Sequence, residues 1–495
     1  MRLKKGVINY LNDQKQYPTA IAIASGLYPM LYCYSKNFSL VNSVSHFIYF
    51  TCVFIVIPVV LFNLVYWFLK KNELEKYSLF ILATLNVFTF LFLIKTITYS
   101  SAQRKITLLV VVLSFLFAWF LRRYLKKLVV LQYLLALLSF SSLLFIIYTN
   151  LTISNGWQQQ PDSILSAEFK KKPNVYVIQP DGYVNFSELS KGFYNYDNSQ
   201  FESFLEESNF TIYPNFRSNY STTLSSNSSF FMMRHHYYNN RISNYELYNA
   251  RNMIVSNNPV LDIFKSNDYK TYFITETGYM MFNKPKMGYD YCNFSYNDIP
   301  YIRPGISDPI DIRTELSVSI SENIDQPKFF FIQMLKPWHI KSKSSNSSND
   351  KNIEREKWLE NLEKSNDMLT ETIKLIKEKD TDALIVIMAD HGGYVGMKYT
   401  GQGDEMTQNR DLIYSIYGSQ LSILWPKNKV PKFNDSFKSS VNVFRLLFSY
   451  LSEDESYLAH LQPDVSYKVL RENVSTGIYE YINAEGAITL KEHRK

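Results

Sequence analysis

Two segments of the chain end in residues that can bind a metal ion. The segments NVYVIQPDGY (174–183) and ALIVIMADHGGY (383–394) are apolar runs that stop abruptly at acidic residues and glycine. Such runs are typical of buried parallel strands, and ligands of open α/β sheets collect beyond the carboxyl ends of those strands. The first run carries Asp181 to that edge, and the second carries Asp390 and His391. Either run alone could be a core strand followed by a turn, but together they predict a divalent-metal site.

A third segment, RSNYSTTLSSNSSFFMM (217–233), is unusually rich in hydroxyl groups. Serine and threonine at this density favour a helix start, where free backbone N–H groups attract an anion. One of these hydroxyls could be a metal-bound nucleophile that faces a phosphate. The alternative is an ordinary serine-rich cap or loop. His235 and His236 follow directly and either line the same pocket or lie in a solvated loop, which is the commoner case.

The residues after 172 have the pattern of an α/β domain. A long amphipathic helix is predicted near 354–379, where one face carries Trp358, Leu362, Leu369, Ile373 and Ile376. This helix precedes a predicted strand, and an αβ unit implies a mostly parallel sheet flanked by helices. The candidate strands lie at 174–180, 270–275, 328–335, 383–389 and 420–425.

The first 150 residues contain most of the long apolar runs, and a chain of 495 residues is long enough for two or three domains. The second, third and fifth runs reach the roughly 20 residues needed to span a membrane. The five apolar stretches lie at about 17–35, 47–69, 78–98, 106–121 and 128–149. We therefore predict a transmembrane domain of about five helices at 1–150, a linker at 151–172 and a catalytic domain at 173–495. A buried helical domain in a soluble protein is the alternative.

The net charge of +7 comes from lysines and arginines at the ends of the apolar stretches, which indicates membrane flanks and no nucleic-acid partner. The basic loops predict a cytoplasmic amino terminus, with residues 150–495 on the outside. We expect a multi-pass protein of the bacterial inner (cytoplasmic) membrane with a periplasmic or extracellular catalytic domain. Only Cys292 lies in the outer part, which excludes an internal disulfide or a thiolate zinc cluster there.

Taken together, these motifs resemble the alkaline phosphatase/sulfatase-like superfamily over about 173–430. The nearest likeness is to its membrane-bound branch, the lipoteichoic-acid-synthase-like and phosphoethanolamine-transferase-like enzymes. Members carry an acidic ligand after the first strand, which matches Asp181 in QPDGY. They carry a late Asp-His pair, which matches Asp390 and His391 in ADHGG. They also carry a nucleophile after an S-N-Y-x-x-T pattern, which matches Thr223 after 218–220.

The resemblance implies further assignments. A family histidine in a P-H-x-P-like stretch corresponds, with a displacement of one residue, to His339 in LKPWHI. Asp181, Thr223, Asp390 and His391 would hold one divalent cation, Mn²⁺ or Mg²⁺, with Zn²⁺ as the alternative. Thr222 is a rival nucleophile. The formylglycine sulfatases need a C-x-P-x-R motif, which the sequence lacks.

The function implied by the resemblance is that of a membrane-anchored transferase. A phosphoglycerol or phosphoethanolamine group would pass from a membrane phospholipid donor to a surface glycan or lipid acceptor through a phosphothreonine at Thr223. His339 would bind the phosphoryl group or protonate the leaving oxygen. Two alternatives remain open: a surface phosphodiesterase that uses the same site, and a non-catalytic partner in envelope assembly.

Overall fold

The computed structural model describes residues 2–99, 103–240, 247–302, 308–342, 350–471 and 474–493. The chain forms two compact units. The first contains Met1–Ile153 with the short segments Phe282–Lys284 and Ile299–Gly305, and the second contains the remainder. Residues 154–172, which the sequence analysis takes as part of a linker, therefore belong to the second unit.

The first unit is helical. Its helices are α1 Arg2–Asn12, α2 Pro18–Val41, α3 Val44–Thr51, α4 Ile57–Lys71, α5 Ser78–Thr98, α6 Arg104–Leu121 and α7 Leu125–Leu151. A π-helical turn joins α3 to α4, and a 3₁₀ turn joins α6 to α7. Three continuous stretches among the described residues are long and apolar enough to cross a membrane: Val44–Lys71, Glu75–Thr98 and Arg104–Leu151. The predicted apolar helical region is confirmed to that extent.

The second unit is an α/β domain, as predicted. Its helices are α8 Phe186–Leu189, α9 Ser199–Glu207, α10 Thr223–Met232, α11 Ala250–Val255, α12 Pro259–Ser266, α13 Arg313–Ser321, α14 Asp350–Lys379, α15 Arg410–Tyr417 and α16 Val443–Ser452. Its strands are β1 Val175–Pro180, β2 Thr211–Ile212, β3 Lys270–Thr275, β4 Tyr291–Cys292, β5 Lys328–Met334, β6 Leu384–Met388, β7 Leu421–Leu424, β8 Ser466–Leu470, β9 Gly477–Ile482 and β10 Ile488–Glu492.

Seven strands form the main sheet in the order β2-β7-β6-β1-β5-β3-β4. The pairs β6-β1, β1-β5, β5-β3 and β3-β4 are parallel, whereas β7 and β2 are antiparallel at one edge. Strands β1, β5 and β6 are buried along their whole length, which explains why their sequences are mostly apolar. The mostly parallel sheet predicted from the sequence is confirmed, and each predicted strand corresponds to an observed one within a residue or two.

Helix α14 packs one face onto this sheet. Trp358, Leu362, Leu369, Ile373 and Ile376 are all buried, as their helical spacing predicts. Burial of one such side chain stabilises the fold by about 1.5–3 kcal/mol before the entropy of ordering it is counted. The helix therefore covers the sheet and leaves the carboxyl ends of the strands to other elements.

A second sheet, β10-β9-β8, is antiparallel and follows α16 in the chain. This sheet was not predicted from the sequence. β8 places the charged Lys468 at a buried position, and the residues of β10 alternate between partly buried and exposed, so neither strand has the continuous apolar pattern of a buried strand.

A buried ion pair fixes the segment before β1 to the second unit. Arg445 on α16 is fully buried, and its guanidinium donates to Asp162 Oδ2 at 2.6 Å and to Gln160 Oε1 at 2.8 Å. A charge in this position needs its partner, because an unpaired buried ion costs far more than an exposed one. The pair therefore holds residues 160–162 against the domain.

We predict that Asp162→Ala lowers the free energy of unfolding by about 3 kcal/mol, because it leaves the Arg445 charge buried without its counter-ion. The matched control is Asp382→Ala, which breaks an ion pair with Lys427 at 3.2 Å in which both side chains are more than half exposed. An exposed pair of this kind contributes about 0–1 kcal/mol. Thermal unfolding of the purified protein in detergent measures both, and equal losses would contradict the role of burial.

Candidate metal and phosphoryl-transfer site

The two motif strands lie side by side in the sheet. β1 pairs in parallel with β6, and Val175 is aligned with Leu384. Their carboxyl ends therefore lie at the same edge, and Asp181 comes one residue after β1, whereas Asp390 comes two residues after β6. This arrangement brings together the three residues that the sequence proposes as metal ligands.

Asp181, Asp390 and His391 form one tight buried group, whose ligand atoms all lie within 4.8 Å of one another. His391 Nε2 is 3.4 Å from Asp390 Oδ2 and 3.9 Å from Asp181 Oδ1. His391 Nδ1 lies 2.8 Å from the Gly392 carbonyl oxygen, which can only accept, so Nδ1 carries the proton and Nε2 presents its lone pair. This tautomer is the one that binds a metal through Nε2.

The two carboxylates are incompletely satisfied. Asp390 Oδ1 accepts from the backbone N–H groups of Gly182 and His391, at 3.1 and 3.0 Å. Asp390 Oδ2 and Asp181 Oδ1 have no hydrogen-bond partner among the described residues, although Asp181 is only 4% exposed and Asp390 is 0% exposed. Buried charged oxygens without partners are rare, since they are costly. The residues therefore fit a divalent cation, which would satisfy both orphaned oxygens and the imidazole.

Electrostatics agrees with this interpretation. Burial raises the pKa of Asp181 well above its usual range, and the neighbouring Asp390 carboxylate raises it further, whereas a hydrogen bond with the Thr223 hydroxyl opposes the shift. Two like charges in a dry site cannot both remain ionised without a compensating positive charge. Two carboxylate oxygens and one imidazole nitrogen are a donor set that Mg²⁺, Mn²⁺ and Zn²⁺ all accept.

A glycine allows the loop after β1 to approach a second loop closely. Gly182 has a φ of +71°, and a Cβ atom there would lie 2.3 Å from the Trp338 carbonyl oxygen. The same contact region includes a backbone hydrogen bond of 2.7 Å from the Trp338 N–H to the Asp181 carbonyl oxygen. The close approach of the two loops therefore requires glycine at position 182, directly after the carboxylate of Asp181.

Thr223 is the first residue of α10, and its hydroxyl reaches the metal group. Its Oγ1 lies 3.4 Å from His391 Nε2, and the side chain is buried. Thr222 is the N-cap, with extended backbone and an exposed side chain that makes no capping hydrogen bond. The start of a helix offers free N–H groups and the positive end of the helix dipole, which together favour a phosphate.

A reciprocal amide pair joins α10 to β1. Gln179 on β1 donates to Asn227 Oδ1 at 2.8 Å, and Asn227 on α10 donates back to Gln179 Oε1 at 2.8 Å. Both side chains are buried. Gln179 lies two residues before Asp181, and Asn227 lies one helical turn after Thr223, so the pair fixes the distance between hydroxyl and carboxylate.

His339 borders the group. Its ring centroid is 6.3 Å from that of His391, but both of its nitrogens have partners: Nδ1 donates to the Ile340 carbonyl at 2.6 Å, and Nε2 accepts from Trp338 Nε1–H at 2.9 Å. Burial lowers the pKa of His339 to about 4, so the imidazole is neutral at pH 7. In this arrangement His339 offers no N–H to a substrate.

Tyr394 is a site residue that the sequence analysis did not single out, although it ends the ADHGGY motif. Its ring packs edge-on to that of His391, with centroids 5.8 Å apart, and its hydroxyl donates to the Ser221 carbonyl oxygen. Tyr394 thereby connects the segment after β6 to the residues just before α10. Its position directly after the glycine pair 392–393 was the available signal.

His235 and His236 are buried rather than solvated, contrary to the commoner loop interpretation. The His236 ring stacks on Tyr220 with centroids 3.8 Å apart, its Nδ1 accepts from the Tyr238 N–H at 2.8 Å, and its Nε2 donates to the Ser225 carbonyl at 3.0 Å. His235 bonds Tyr220 and the Pro463 carbonyl. Both histidines hold the hydroxyl-rich segment in place.

Comparison with known proteins assigns the family. The sulfatase family model matches residues 190–452, more than half of the chain. The chain belongs to the sulfatase family. The matched range begins after Asp181 and includes Thr223, Asp390 and His391. The predicted membership in the sulfatase-like superfamily is thus confirmed, and the protein is an enzyme of this class. No curated protein sequence matches the chain.

Three solved structures are among those similar to this sulfatase-family chain, at low identity. The periplasmic domain of EptC from Escherichia coli, in complex with zinc, is 14% identical, and the match covers 64% of this chain and 96% of that chain with a TM-score of 0.42. The lipoteichoic acid synthase LtaP from Listeria monocytogenes is 14% identical, and the match covers 66% of this chain and 90% of that chain with a TM-score of 0.42. The integral membrane lipooligosaccharide phosphoethanolamine transferase EptA from Neisseria meningitidis is 12% identical, and the match covers 88% of this chain and 95% of that chain with a TM-score of 0.41.

The buried His236 predicts a pH dependence of stability. Burial lowers its folded-state pKa from 6.5 to about 3, so the unfolded chain binds a proton more readily. The stabilisation is complete above pH 6.5 and is lost as the pH falls from there towards 3, by roughly 2 kcal/mol per histidine between pH 7 and pH 5. Denaturant titrations at pH 7 and pH 5 measure the loss in the free energy of unfolding. In His236→Phe, which keeps the stacked ring, this loss should be smaller than in the unaltered protein by about 2 kcal/mol. An equal drop in the variant would contradict the assignment.

Proposed function

We propose that this sulfatase-family chain is a membrane-anchored, metal-dependent transferase. It would move a phospho-substituent, of phosphoglycerol or phosphoethanolamine type, from a membrane phospholipid to a surface glycan or lipid. The observation that supports this most strongly is the Thr223 hydroxyl at the start of α10, 3.4 Å from His391 Nε2 and beside two orphaned carboxylate oxygens. A nucleophilic hydroxyl next to a cation site and free backbone N–H groups suits attack on a phosphodiester.

The proposed metal ligands are Asp181, Asp390, His391 and Thr223. Oxygen donors predominate, which favours Mn²⁺ or Mg²⁺, and the single imidazole leaves Zn²⁺ as the alternative. When bound, the cation would lower the pKa of the Thr223 hydroxyl and stabilise charge on a phosphoryl oxygen.

In the proposed reaction, Thr223 Oγ1 forms a bond to phosphorus as the bond from phosphorus to the lipid oxygen breaks. The threonine proton is released and the lipid oxygen takes up a proton, which leaves a phosphothreonine and a lipid alcohol. The hydroxyl of the acceptor then attacks phosphorus and regenerates the Thr223 hydroxyl. Water in place of the acceptor would make the protein a phosphodiesterase.

His339 is the proposed binder of the phosphoryl group or proton donor to the leaving oxygen. Because its Nε2 accepts from Trp338 and its pKa is lowered to about 4, the imidazole must first release the indole and gain a proton. The negative charge of a bound phosphodiester favours that change, since an anion nearby raises a histidine pKa.

We propose five membrane crossings. The stretch Arg104–Leu151 contains 48 residues, which as one helix would be about 72 Å long, more than twice the roughly 30 Å of hydrocarbon. It divides into α6 and α7 at a turn that contains Arg122 and Arg123. With α2, of 24 residues, this gives five crossings. The basic loops support a cytoplasmic amino terminus, with the second unit outside a bacterial cytoplasmic membrane.

The metal assignment is tested by composition. Asp390→Ala and His391→Ala should each lose nearly all bound divalent metal, because each removes a direct ligand from a group that has few substitutes. Asp382→Ala, which removes an exposed carboxylate in the same unit, should keep the metal content of the unaltered protein. Elemental analysis of the purified proteins gives the result, and full metal in both ligand variants would show that the site is elsewhere.

The nucleophile assignment is tested by paired substitutions. Thr223→Ala should abolish turnover, because it removes the oxygen that forms the covalent bond. Thr222→Ala should retain most of it, because the Thr222 side chain is exposed and caps nothing. Mass spectrometry of peptides from stalled enzyme should find phosphate on Thr223. Phosphate on Thr222, or on a serine of 225–229, would refute the assignment.

Fluorescent phospholipid separates the transferase from its alternatives. Release of diacylglycerol that depends on a glycan acceptor indicates a transferase, and release without the acceptor indicates a phosphodiesterase. No release from metal-loaded protein would favour a non-catalytic role in envelope assembly.

A further inference from the structure

A cavity of about 780 Å³ lies in the first unit between α1, the start of α2 and one face of α7. We call it the α1–α7 groove. Helix α7 contributes Val130, Tyr133, Leu134 and Leu137, and this spacing places all four side chains on one face of the helix. Leu134 and Leu137 are 54% and 59% exposed, so the groove is open to whatever surrounds the helices. A cavity of this size is typical of a site for a small molecule.

The face of α7 that lines the groove extends over about half the thickness of a membrane. Lys126 lies one helical turn before Val130 on the same face. The stripe from Lys126 to Leu137 rises about 16 Å, at 1.5 Å per residue. The hydrocarbon core of a bilayer is roughly 30 Å thick, and each leaflet fills half of it with its acyl chains. An acyl chain therefore matches this stripe in length as well as in its apolar character.

Two polar groups mark the end of the groove at Lys126. Lys126 Nζ lies 5.2 Å from the ring centroid of Tyr10, which lines the groove. The Tyr10 hydroxyl is buried and has no hydrogen-bond partner among the described residues. A buried hydroxyl without a partner is costly, and a lysine ammonium group has three protons to donate. A phosphate group at this end of the groove would accept from both side chains.

Basic residues surround this end of the groove. Arg122, Arg123 and Lys127 lie within four residues of Lys126, and the sequence contains no acidic residue at 76–161. The start of α7 and the turn before it therefore carry four positive charges and no negative charge.

Asp13 is the only acidic residue among the first 72, and its main-chain carbonyl oxygen accepts a hydrogen bond from Lys126. Its carboxylate accepts from the Lys15 N–H at 2.9 Å and from the Tyr17 hydroxyl. One carboxylate does not balance four cations, so the potential at this end of the groove favours an anion.

We propose that the α1–α7 groove binds one molecule of an anionic phospholipid. One acyl chain lies along the apolar face of α7, and the headgroup phosphate accepts from Lys126 and Tyr10. Basic pockets between transmembrane helices bind such headgroups. A zwitterionic phospholipid is disfavoured, because its ammonium group would meet the positive charges at Arg122, Arg123 and Lys127.

This lipid is distinct from the donor of the proposed reaction. The proposed topology places Lys126 at the cytoplasmic face of the membrane, whereas the donor would react in the second unit on the opposite side. The bound phospholipid is therefore a ligand of the membrane unit, and its binding does not depend on the transferase activity.

Native mass spectrometry of the full chain in detergent counts the bound lipid. The probes are dioleoylphosphatidylglycerol, which is anionic, and dioleoylphosphatidylcholine, which has the same acyl chains and no net charge. We expect one phosphatidylglycerol per chain, bound about tenfold or more tightly than phosphatidylcholine, because several basic side chains attract its charge. Equal binding of the two lipids would overturn the proposal.

Substitutions that fill the groove locate the acyl chain. Leu134→Trp should weaken phosphatidylglycerol binding by about tenfold or more, because the indole occupies the path of the chain. The matched control is Leu131→Trp: Leu131 is 52% exposed, close to Leu134, but does not line the groove. Gly6→Leu fills the groove from the opposite wall, where an added Cβ atom meets nothing within 4 Å, so the fold should tolerate it. If both groove variants bind the lipid as tightly as Leu131→Trp does, the groove is not the site.

Two further variants identify the headgroup contact and exclude the donor. Lys126→Met should reduce the affinity for phosphatidylglycerol to near that for phosphatidylcholine, and an unchanged preference would contradict the role of Lys126. Asp390→Ala, which alters the proposed metal group in the second unit, should bind phosphatidylglycerol as tightly as the unaltered chain. Loss of the lipid in Asp390→Ala would show that the donor had been counted, and the proposal would fail. Absence of diacylglycerol release would remove the transferase and leave these expectations unchanged.

Discussion

Two buried carboxylates without enough partners govern the architecture of the second unit. Asp181 and Asp390 each keep one oxygen that no described group satisfies, at a distance where their negative charges oppose each other. Such a pair is tolerable only if a cation or a proton lies between them. The neighbouring elements are arranged accordingly. Two backbone N–H groups donate to Asp390, Nε2 of His391 faces both carboxylates, and the start of α10 places the Thr223 hydroxyl beside that nitrogen.

The parallel sheet brings together groups that are far apart in the sequence. Residues 181, 223 and 390 are far apart in sequence, but the ends of adjacent parallel strands and the start of one helix meet at a single edge. The amide pair of Gln179 and Asn227 then sets the spacing between β1 and α10. The family match and this geometry agree on the class of enzyme.

Much of the fold could be predicted because its signals are local. The buried strands carry mostly apolar runs, and α14 shows one clear apolar face, so the sequence predicts both where the structure has them. Asp181, Asp390 and His391 could be proposed as one group because the carboxyl ends of adjacent parallel strands lie at the same edge of the sheet. The sheet of β8, β9 and β10 was missed, since the buried Lys468 interrupts β8 and the residues of β10 alternate between partly buried and exposed.

Other features depend on contacts that only the folded chain creates. The hydrogen bond from Trp338 to His339 leaves the histidine without the free nitrogen that the motif suggested. His235 and His236 resemble a polar loop in sequence, yet tertiary packing buries them against Tyr220. The cavity lined by Ser221, Tyr394 and Lys468 combines residues of the motif segments with a residue more than sixty positions later in the chain, and no local pattern predicts that combination.

The amide pair also constrains how related sequences can diverge. A single change at Gln179 or Asn227 would leave the other amide buried with unmet donors and acceptors, at about 1–3 kcal/mol, a large share of the 5–15 kcal/mol that typically separates folded from unfolded chains. Replacement of both amides by apolar side chains of matching shape would be nearly neutral. Homologues should therefore carry both amides or neither, and the two positions should covary as one evolutionary unit although 48 residues separate them in the chain.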